Sequence, residues 1–134
     1  MAQNKKIVFV CEHGAAKSVI ATAYFNKLAQ ERNLDYEAVC RGTSPDSIVS
    51  PSVKEGLTRD ELFDDTVTPT KLTINDTTNT ERIILFIKLP DDFKTSIKTE
   101  DWSNLKDVDG DYQHRRDAIT KSINLLLDTL SKQN

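Results

Sequence analysis

The residues that most limit the possible folds are the first strand-like run and the segments that follow it. The run Ile7–Val10 is continuous, apolar and rich in β-branched side chains, which is typical of a strand buried on both faces of a sheet. Apolar residues then recur at three- and four-residue spacing from Val19 to about Arg32, which predicts a helix. Tyr36–Cys40 predicts a second strand that ends at Gly42. Strand, helix and strand in this order predict a βαβ unit with parallel strands.

The rest of the chain continues to alternate between helices and strands. Ser50 is the predicted N-cap of a short helix, with Pro51 at its first helical position. The other predicted elements are a short helix from Pro69 through Leu72 and Ile74, a strand at Arg82–Ile87, a weak strand near Phe93–Ile97, and a helix from about Gly110 to Leu130. This order predicts one α/β domain over residues 1–134, with a parallel sheet and right-handed crossovers.

Composition and charge exclude several classes of protein. The 134 residues suit one domain. A net charge of −3, with acidic and basic residues interspersed, does not indicate a surface that binds nucleic acid or membranes. No apolar run approaches the ~18 residues of a spanning helix, and the short one near the N-terminus is no secretory signal. We therefore expect a cytoplasmic protein. Its two cysteines should be free thiols there, its two scattered histidines complete no metal site with them, and no cofactor is indicated.

The stretch Cys11–Ser18, called the anion loop below, joins the first strand to the first helix. Ligands of open α/β sheets bind at the carboxyl ends of strands, where loop amides and a helix N-terminus favour anions. The predicted anion-binding residues are Glu12, His13, Gly14, Ala15, Ala16 and Lys17. Cys11 is the candidate nucleophile, since the same field stabilises its thiolate, and Ser18 is placed to donate its hydroxyl to that thiolate. A lone cysteine at a strand end is more often an inert core residue, so the surrounding pattern carries the prediction.

That pattern, Cys11-x5-Lys17-Ser18, resembles the Cys-x5-Arg-Ser active-site loop of low-molecular-weight protein tyrosine phosphatases and thioredoxin-coupled arsenate reductases. Further matches to this family follow in order along the chain. Cys40-Arg41-Gly42-Thr43 matches the family's Ser-Ala-Gly-Thr, and Ser50-Pro51 matches its proline-started helix. The arsenate-reductase branch then has a tryptophan, an Asp-Pro and an Arg-Asp-x-Ile helix, which correspond here to Trp102, Asp107-Val108-Asp109 and Arg116-Asp117-Ala118-Ile119. The resemblance implies a three-layer α/β/α fold with a central four-stranded parallel sheet. It also implies a cysteine-dependent hydrolase that forms a phospho-cysteine intermediate.

Two functional positions depart from the family pattern. Lys17 replaces the family's arginine, which keeps the charge and loses the planar fork that holds two phosphate oxygens. The Asp-Pro that carries the family's general acid is absent. Asp107 or Asp109 occupies the corresponding loop, and Asp91 and Asp92 are outside candidates for the same role. Asp107 is preferred by its spacing from Trp102. An aspartate-rich surface loop without catalytic function is the alternative interpretation of Asp107 and Asp109.

The remaining polar residues of the anion loop and the second cysteine each have two interpretations. Glu12 would repel a bound anion if it faced the anion, and would be neutral to binding if it faced solvent. His13 is either a specificity contact or proton donor, or an ordinary surface histidine. No cysteine follows the strand at Arg82–Ile87, so the family's arsenate-reductase relay is absent. Cys40 is then the one thiol left to resolve an oxidised Cys11, or it is a buried packing residue.

Three functions remain open from the sequence, and a fourth is disfavoured. The first is a phosphatase-like hydrolase that acts on a phosphate monoester of a protein or small molecule, or on a related oxyanion. The second is a module that binds phosphate, sulfate or arsenate without efficient turnover, and the third is a thiol-redox protein. The fourth, disfavoured function is a nucleoside-triphosphatase. Ala16-Lys17-Ser18 is similar to the end of a nucleotide-binding Walker loop, but both glycines of that motif are missing. We expect the first function, because the nucleophile is retained.

Overall fold

The computed structural model describes residues 5–105 and 111–132. Its elements, in chain order, are β1 (Lys5–Cys11), α1 (Lys17–Glu31), β2 (Tyr36–Gly42), α2 (Pro51–Arg59), a 3-10 helix (Ile74–Thr77), β3 (Thr80–Leu85), β4 (Thr99–Asp101) and α3 (Tyr112–Ser131). The four strands form one parallel sheet in the order β2-β1-β3-β4. The predicted α/β class and the four-stranded parallel sheet are confirmed.

Two apolar cores lie on opposite faces of this sheet. The larger one packs α1, α2 and α3 against the side chains of Ile7, Phe9 and Cys11 on β1. Phe9 is its centre, since its ring lies 5.9 Å from Phe25, 6.4 Å from Phe86 and 5.7 Å from Trp102 between centroids. The second core joins Val8, Val10, Leu72 and Ile83 to partly buried apolar side chains of residues 85–97. Burial on both faces accounts for the continuous apolar run in β1.

Two predicted elements lie elsewhere in the structure. The helix predicted from Pro69 is wrong, because this segment is extended and hydrogen-bonded to the end of β2, through Gly42 N–H to Thr70 C=O at 2.8 Å and Leu72 N–H to Gly42 C=O at 2.9 Å. A 3-10 helix begins later, where Thr73 and Asp76 form a capping box. The weak strand near Phe93–Ile97 is also displaced, and β4 lies at Thr99–Asp101. In both places, pairing with a neighbouring strand overrides local propensity.

A half-buried polar cluster connects the three α-helices. Tyr24 of α1 and Tyr112 of α3 both donate hydrogen bonds to Oδ2 of Asp60, at 2.5 and 2.7 Å, and Arg116 lies 3.4 Å from the same oxygen. Asp60 is the residue directly after α2. Burial pushes the pKa of Asp60 upward, but the three hydrogen bonds outweigh it and leave that pKa below its ordinary value. We call these four residues the Asp60 cluster.

Candidate active site

Cys11 is the last residue of β1, and its side chain is held against the start of α1. Its Sγ lies 3.0 Å from Oγ of Ser18, the second residue of that helix. Both side chains are buried, with 7% of Cys11 and 0% of Ser18 exposed. A hydroxyl at this distance is placed to donate a hydrogen bond to the sulfur.

The carbonyl groups of the anion loop are bound from outside by the segment after β2, residues 43–50. The amides of Thr43, Ser44, Asp46 and Ser50 donate to the carbonyls of Cys11, Glu12, His13 and Ala15 at 3.1, 2.7, 2.9 and 2.9 Å. The C=O and N–H of one trans peptide point in opposite directions, so the amides that follow these carbonyls point away from segment 43–50. Within the described ranges, the amides of residues 12–16 donate no hydrogen bond to a protein acceptor.

Gly14 gives the anion loop its turn, and Gly42 lies directly behind it. The φ angle of Gly14 is +62°, a left-handed conformation that glycine adopts without the cost of a Cβ. A Cβ built on Gly14 would lie 3.1 Å from the backbone nitrogen of Gly42, so the two glycines are in close contact.

The side chains of Glu12 and His13 lie on the solvent side of the anion loop. Each is more than half exposed, at 57% and 55%. The His13 ring lies between two carboxylates, with Nε2 3.5 Å from Glu12 Oε2 and Nδ1 3.2 Å from Asp46 Oδ1. Glu12 is therefore directed to solvent and to His13, which agrees with the neutral interpretation of that residue.

The other predicted site residues are distributed between the loop and the C-terminal part of the chain. Ala15 is buried, and Ala16 and Lys17 are half-buried where the loop enters α1. Asp107 and Asp109, the candidate general acids, lie outside the described residues. The structure thus brings Cys11, Lys17 and Ser18 onto one loop and one helix turn at the carboxyl end of β1.

Cys40 lies on the neighbouring strand, two residues short of the position that faces Cys11. Phe9 pairs with Cys40, while Cys11 pairs with Gly42. An offset of two residues is about 6.6 Å along a strand, and adjacent strands are ~4.8 Å apart. These two perpendicular distances place the α-carbons of Cys11 and Cys40 farther apart than the about 7 Å that a disulfide tolerates. Both cysteines are free and buried, and burial raises the pKa of the Cys40 thiol. The geometry favours Cys40 as a packing residue.

Sequence reasoning missed the contribution of segment 43–50 and Gly42 to the site. Gly42-Thr43-Ser44-Pro45 is ordinary turn chemistry in the sequence, and the composition of this stretch contains no sign that its amides bind the carbonyls of a loop some thirty residues earlier. The placement of Gly42 beside Cys11 follows from the strand register alone. Parallel register is set by the packing of both sheet faces, which a single local pattern does not reveal.

Solved structures with the same architecture cover nearly the whole chain. YfkJ from Bacillus subtilis aligns with a TM-score of 0.84 at 20% sequence identity, over 99% of this chain and 98% of that chain. A low molecular weight protein tyrosine phosphatase from Bacillus subtilis gives a TM-score of 0.80 at 19% identity, over 95% of this chain and 97% of that chain. The chain has the low-molecular-weight phosphatase fold. The resemblance predicted from the anion loop is therefore confirmed at the level of the fold.

A thioredoxin-dependent arsenate reductase from Corynebacterium glutamicum shares this fold, with a TM-score of 0.79 and 20% identity. The alignment covers 99% of this chain and 65% of that chain, so this chain spans just under two thirds of that reductase. No family model and no curated protein matches the sequence. At these identities the likeness establishes the fold, and activity has to be argued from the side chains of this chain.

Two further findings concern the described residues only. None of the described helices is long and apolar enough to cross a membrane. No group of three or more histidine, cysteine, aspartate or glutamate side chains in residues 5–105 and 111–132 is arranged to hold a metal ion.

Proposed function

We propose that this chain is a cysteine-dependent, phosphatase-like hydrolase that acts on a phosphate monoester or a related oxyanion. The observation that carries this proposal is the placement of Cys11 and Ser18, 3.0 Å apart, at the base of a loop whose amides point away from segment 43–50. A phosphate group seated on those amides would be at the carboxyl end of the sheet and at the N-terminus of α1, both of which favour anions.

In the proposed reaction, the Cys11 thiolate attacks phosphorus. A sulfur–phosphorus bond forms as the bond to the leaving oxygen breaks, and that oxygen takes a proton from Asp107 or Asp109. Water then attacks phosphorus and gives up a proton to the same aspartate, the sulfur–phosphorus bond breaks, and inorganic phosphate leaves. The Ser18 hydroxyl stabilises the thiolate at the start and end of the cycle, and Lys17 offsets the charge of the equatorial oxygens.

A second function, oxyanion binding without efficient turnover, is favoured by Lys17. A lysine ammonium is a point charge on a flexible stem and does not hold two oxygens in the plane of the transition state as a guanidinium does. The anion loop would still bind phosphate, sulfate or arsenate through its amides. The thiol-redox alternative is weaker, because Cys40 is displaced from Cys11 along its strand and an external thiol would have to resolve the oxidised sulfur.

The proposal is tested by measuring binding and turnover on the same preparation. We expect inorganic phosphate to raise the melting temperature with the logarithm of its concentration above the Kd, since a ligand at about 100 times its Kd adds ~2.7 kcal/mol to the free energy of unfolding. We also expect hydrolysis of para-nitrophenyl phosphate, with phosphate as a competitive inhibitor. Binding without hydrolysis would favour the oxyanion-binding module. Arsenate reduction that depends on an added thiol would favour the redox function, and absence of both binding and turnover would refute the proposal.

Restoring the guanidinium at Lys17 tests the cause of any weak turnover. Losing one well-placed transition-state donor typically costs about a hundred- to a thousand-fold in rate, and Lys17→Arg in a loop not built around arginine should regain about tenfold. The gain should appear mainly in kcat for para-nitrophenyl phosphate, because the fork fits the equatorial oxygens best in the transition state.

Lys27→Arg is the matched control, since Lys27 is exposed on the same helix and away from the anion loop. It should leave both kcat and KM unchanged. If Lys17→Arg changes neither the rate nor phosphate affinity, Lys17 does not face the bound anion. If it abolishes an activity found with another substrate, the lysine is a specific adaptation to that substrate.

A further inference from the structure

Gly42 is held in place from two directions at the carboxyl end of the sheet. On one side it pairs in register with Cys11, the candidate nucleophile. On the other side its N–H donates to Thr70 C=O at 2.8 Å and its C=O accepts from Leu72 N–H at 2.9 Å. Because its backbone groups are engaged by the 70–72 segment, Gly42 cannot move away from the anion loop without breaking these bonds.

The α-carbon of Gly42 faces three consecutive residues of the anion loop. A Cβ built on Gly42 would lie 2.7 Å from Gly14 N, 2.9 Å from the carbonyl carbon of His13 and 3.1 Å from Glu12 O. The first two distances are shorter than real Cβ contacts, and the atoms concerned are backbone atoms that cannot rotate away. A methyl group here would push the His13–Gly14 peptide outward by several tenths of an ångström.

The same peptide supplies one of the amides that the proposed function uses. The carbonyl of His13 is held by Asp46 N–H at 2.9 Å, so the Gly14 amide points the opposite way. The absence of a side chain at Gly42 therefore sets how deeply this amide sits. Gly42 lies outside the left-handed region, so alanine is compatible with its backbone conformation and the effect of a substitution would be steric.

We propose that Gly42 is a positioning residue for the anion loop: its missing side chain lets the His13–Gly14 peptide seat against β2, and this seating aims the Gly14 amide at the bound oxyanion. The inference rests on the proposed function, because it assumes that the amides of this loop hold an oxyanion. It adds that the geometry of the site depends on a residue of a different strand.

The test compares two glycine-to-alanine variants. Gly42→Ala should weaken binding of inorganic phosphate by about tenfold or more, because displacements well below 1 Å already weaken preorganised contacts substantially. Gly56→Ala is the matched control: the three atoms nearest to its Cβ all belong to the ring of Tyr112, at 2.4–2.5 Å, and none to the anion loop, so it should lower stability and leave phosphate affinity unchanged. Calorimetric titration with phosphate gives the affinities, and thermal melts without phosphate give the stabilities.

The phosphate affinities of the wild type and the variants decide the matter. Weaker phosphate binding in Gly42→Ala alone would support the inference, and wild-type affinity in folded Gly42→Ala would overturn it. Equal loss of affinity in both variants would also overturn it, since general destabilisation would then be the cause. If the wild type binds no phosphate, both the proposed function and the inference about Gly42 are wrong. Should Gly42→Ala not fold, Gly14→Ala probes the same contact from the other side, with its Cβ 3.1 Å from Gly42 N, and retention of full phosphate affinity there would overturn the inference.

Discussion

Replacing Cys11 by serine is expected to abolish turnover and to leave oxyanion binding intact. Cys11 is the proposed nucleophile, and a serine hydroxyl without a strong adjacent base is a poor nucleophile. We expect the rate of para-nitrophenyl phosphate hydrolysis to fall by about a thousandfold or more. Phosphate affinity should change little, because the amides and Lys17, which are proposed to hold the anion, remain. Steady-state kinetics and calorimetric titration on the same variant measure the two effects.

Cys40→Ser is the matched control for this experiment. Cys40 is the other buried cysteine, and it lies beside Phe9 and not beside the anion loop. This variant should retain the rate and lose some stability, because a buried thiol is replaced by a more polar hydroxyl. Loss of rate in both cysteine variants would favour a redox function that needs two thiols. Full activity in Cys11→Ser would show that the proposed nucleophile is wrong.

The sheet and the anion loop were predictable because their signals are local. The apolar run of β1 has a continuous hydrophobic character that only burial on both faces explains, and Gly14 marks the left-handed turn that follows it. The contact between Cys11 and Ser18 follows from the same local geometry, since the loop returns to the first turn of α1 directly above the end of the strand. The order of strand, loop and helix, together with the Cys11-x5-Lys17-Ser18 pattern, therefore indicated where the candidate site lies.

The surroundings of the anion loop were not predictable because they depend on contacts between distant segments. The hydrogen bonds from segment 43–50 and the close approach of Gly42 require the register of β1 with β2, which is determined by the packing of the whole sheet. The helix predicted from Pro69 failed for a related reason, because Leu72 is drawn into the second core and its backbone pairs with Gly42. Local propensity is weaker than these tertiary contacts.

The Asp60 cluster leads to an expected result for stability. Two tyrosine hydroxyls and Arg116 converge on the Asp60 carboxylate, whose side chain is 21% exposed. Asp60→Asn keeps the size of the side chain and removes its charge. Hydrogen bonds to a charged group contribute about 1.5–3 kcal/mol, so we expect the free energy of unfolding at pH 7 to fall by about 2 kcal/mol. Urea denaturation of wild type and variant measures the difference.

The pH dependence of this difference identifies its cause. The pKa of Asp60 is lower in the folded state than in the unfolded state, so the unfolded chain binds more protons between the two values. The stabilisation is therefore complete above the ordinary aspartate pKa of about 3.9, and it is lost as the pH falls through the folded value. The difference in the free energy of unfolding between wild type and Asp60→Asn should be largest near pH 7 and should disappear below about pH 4.

Asp64→Asn is the control for the Asp60 experiment, because the pKa of Asp64 is also lowered but its hydrogen bonds are local ones from the Thr66 hydroxyl and backbone amide. An asparagine oxygen can accept both of these bonds, so this variant should unfold at nearly the wild-type urea concentration at both pH 7 and pH 3.

Tyr24→Phe separates charge from packing further, since it keeps the ring and removes one donor to Asp60. Burial, followed by the hydrogen bond to Asp60, raises the pKa of Tyr24 to about 12, so its hydroxyl remains a donor throughout this range. A gap between wild type and Asp60→Asn that stays constant from pH 7 to pH 3 would mean that the cluster stabilises the three helices by packing and not by the charge of Asp60.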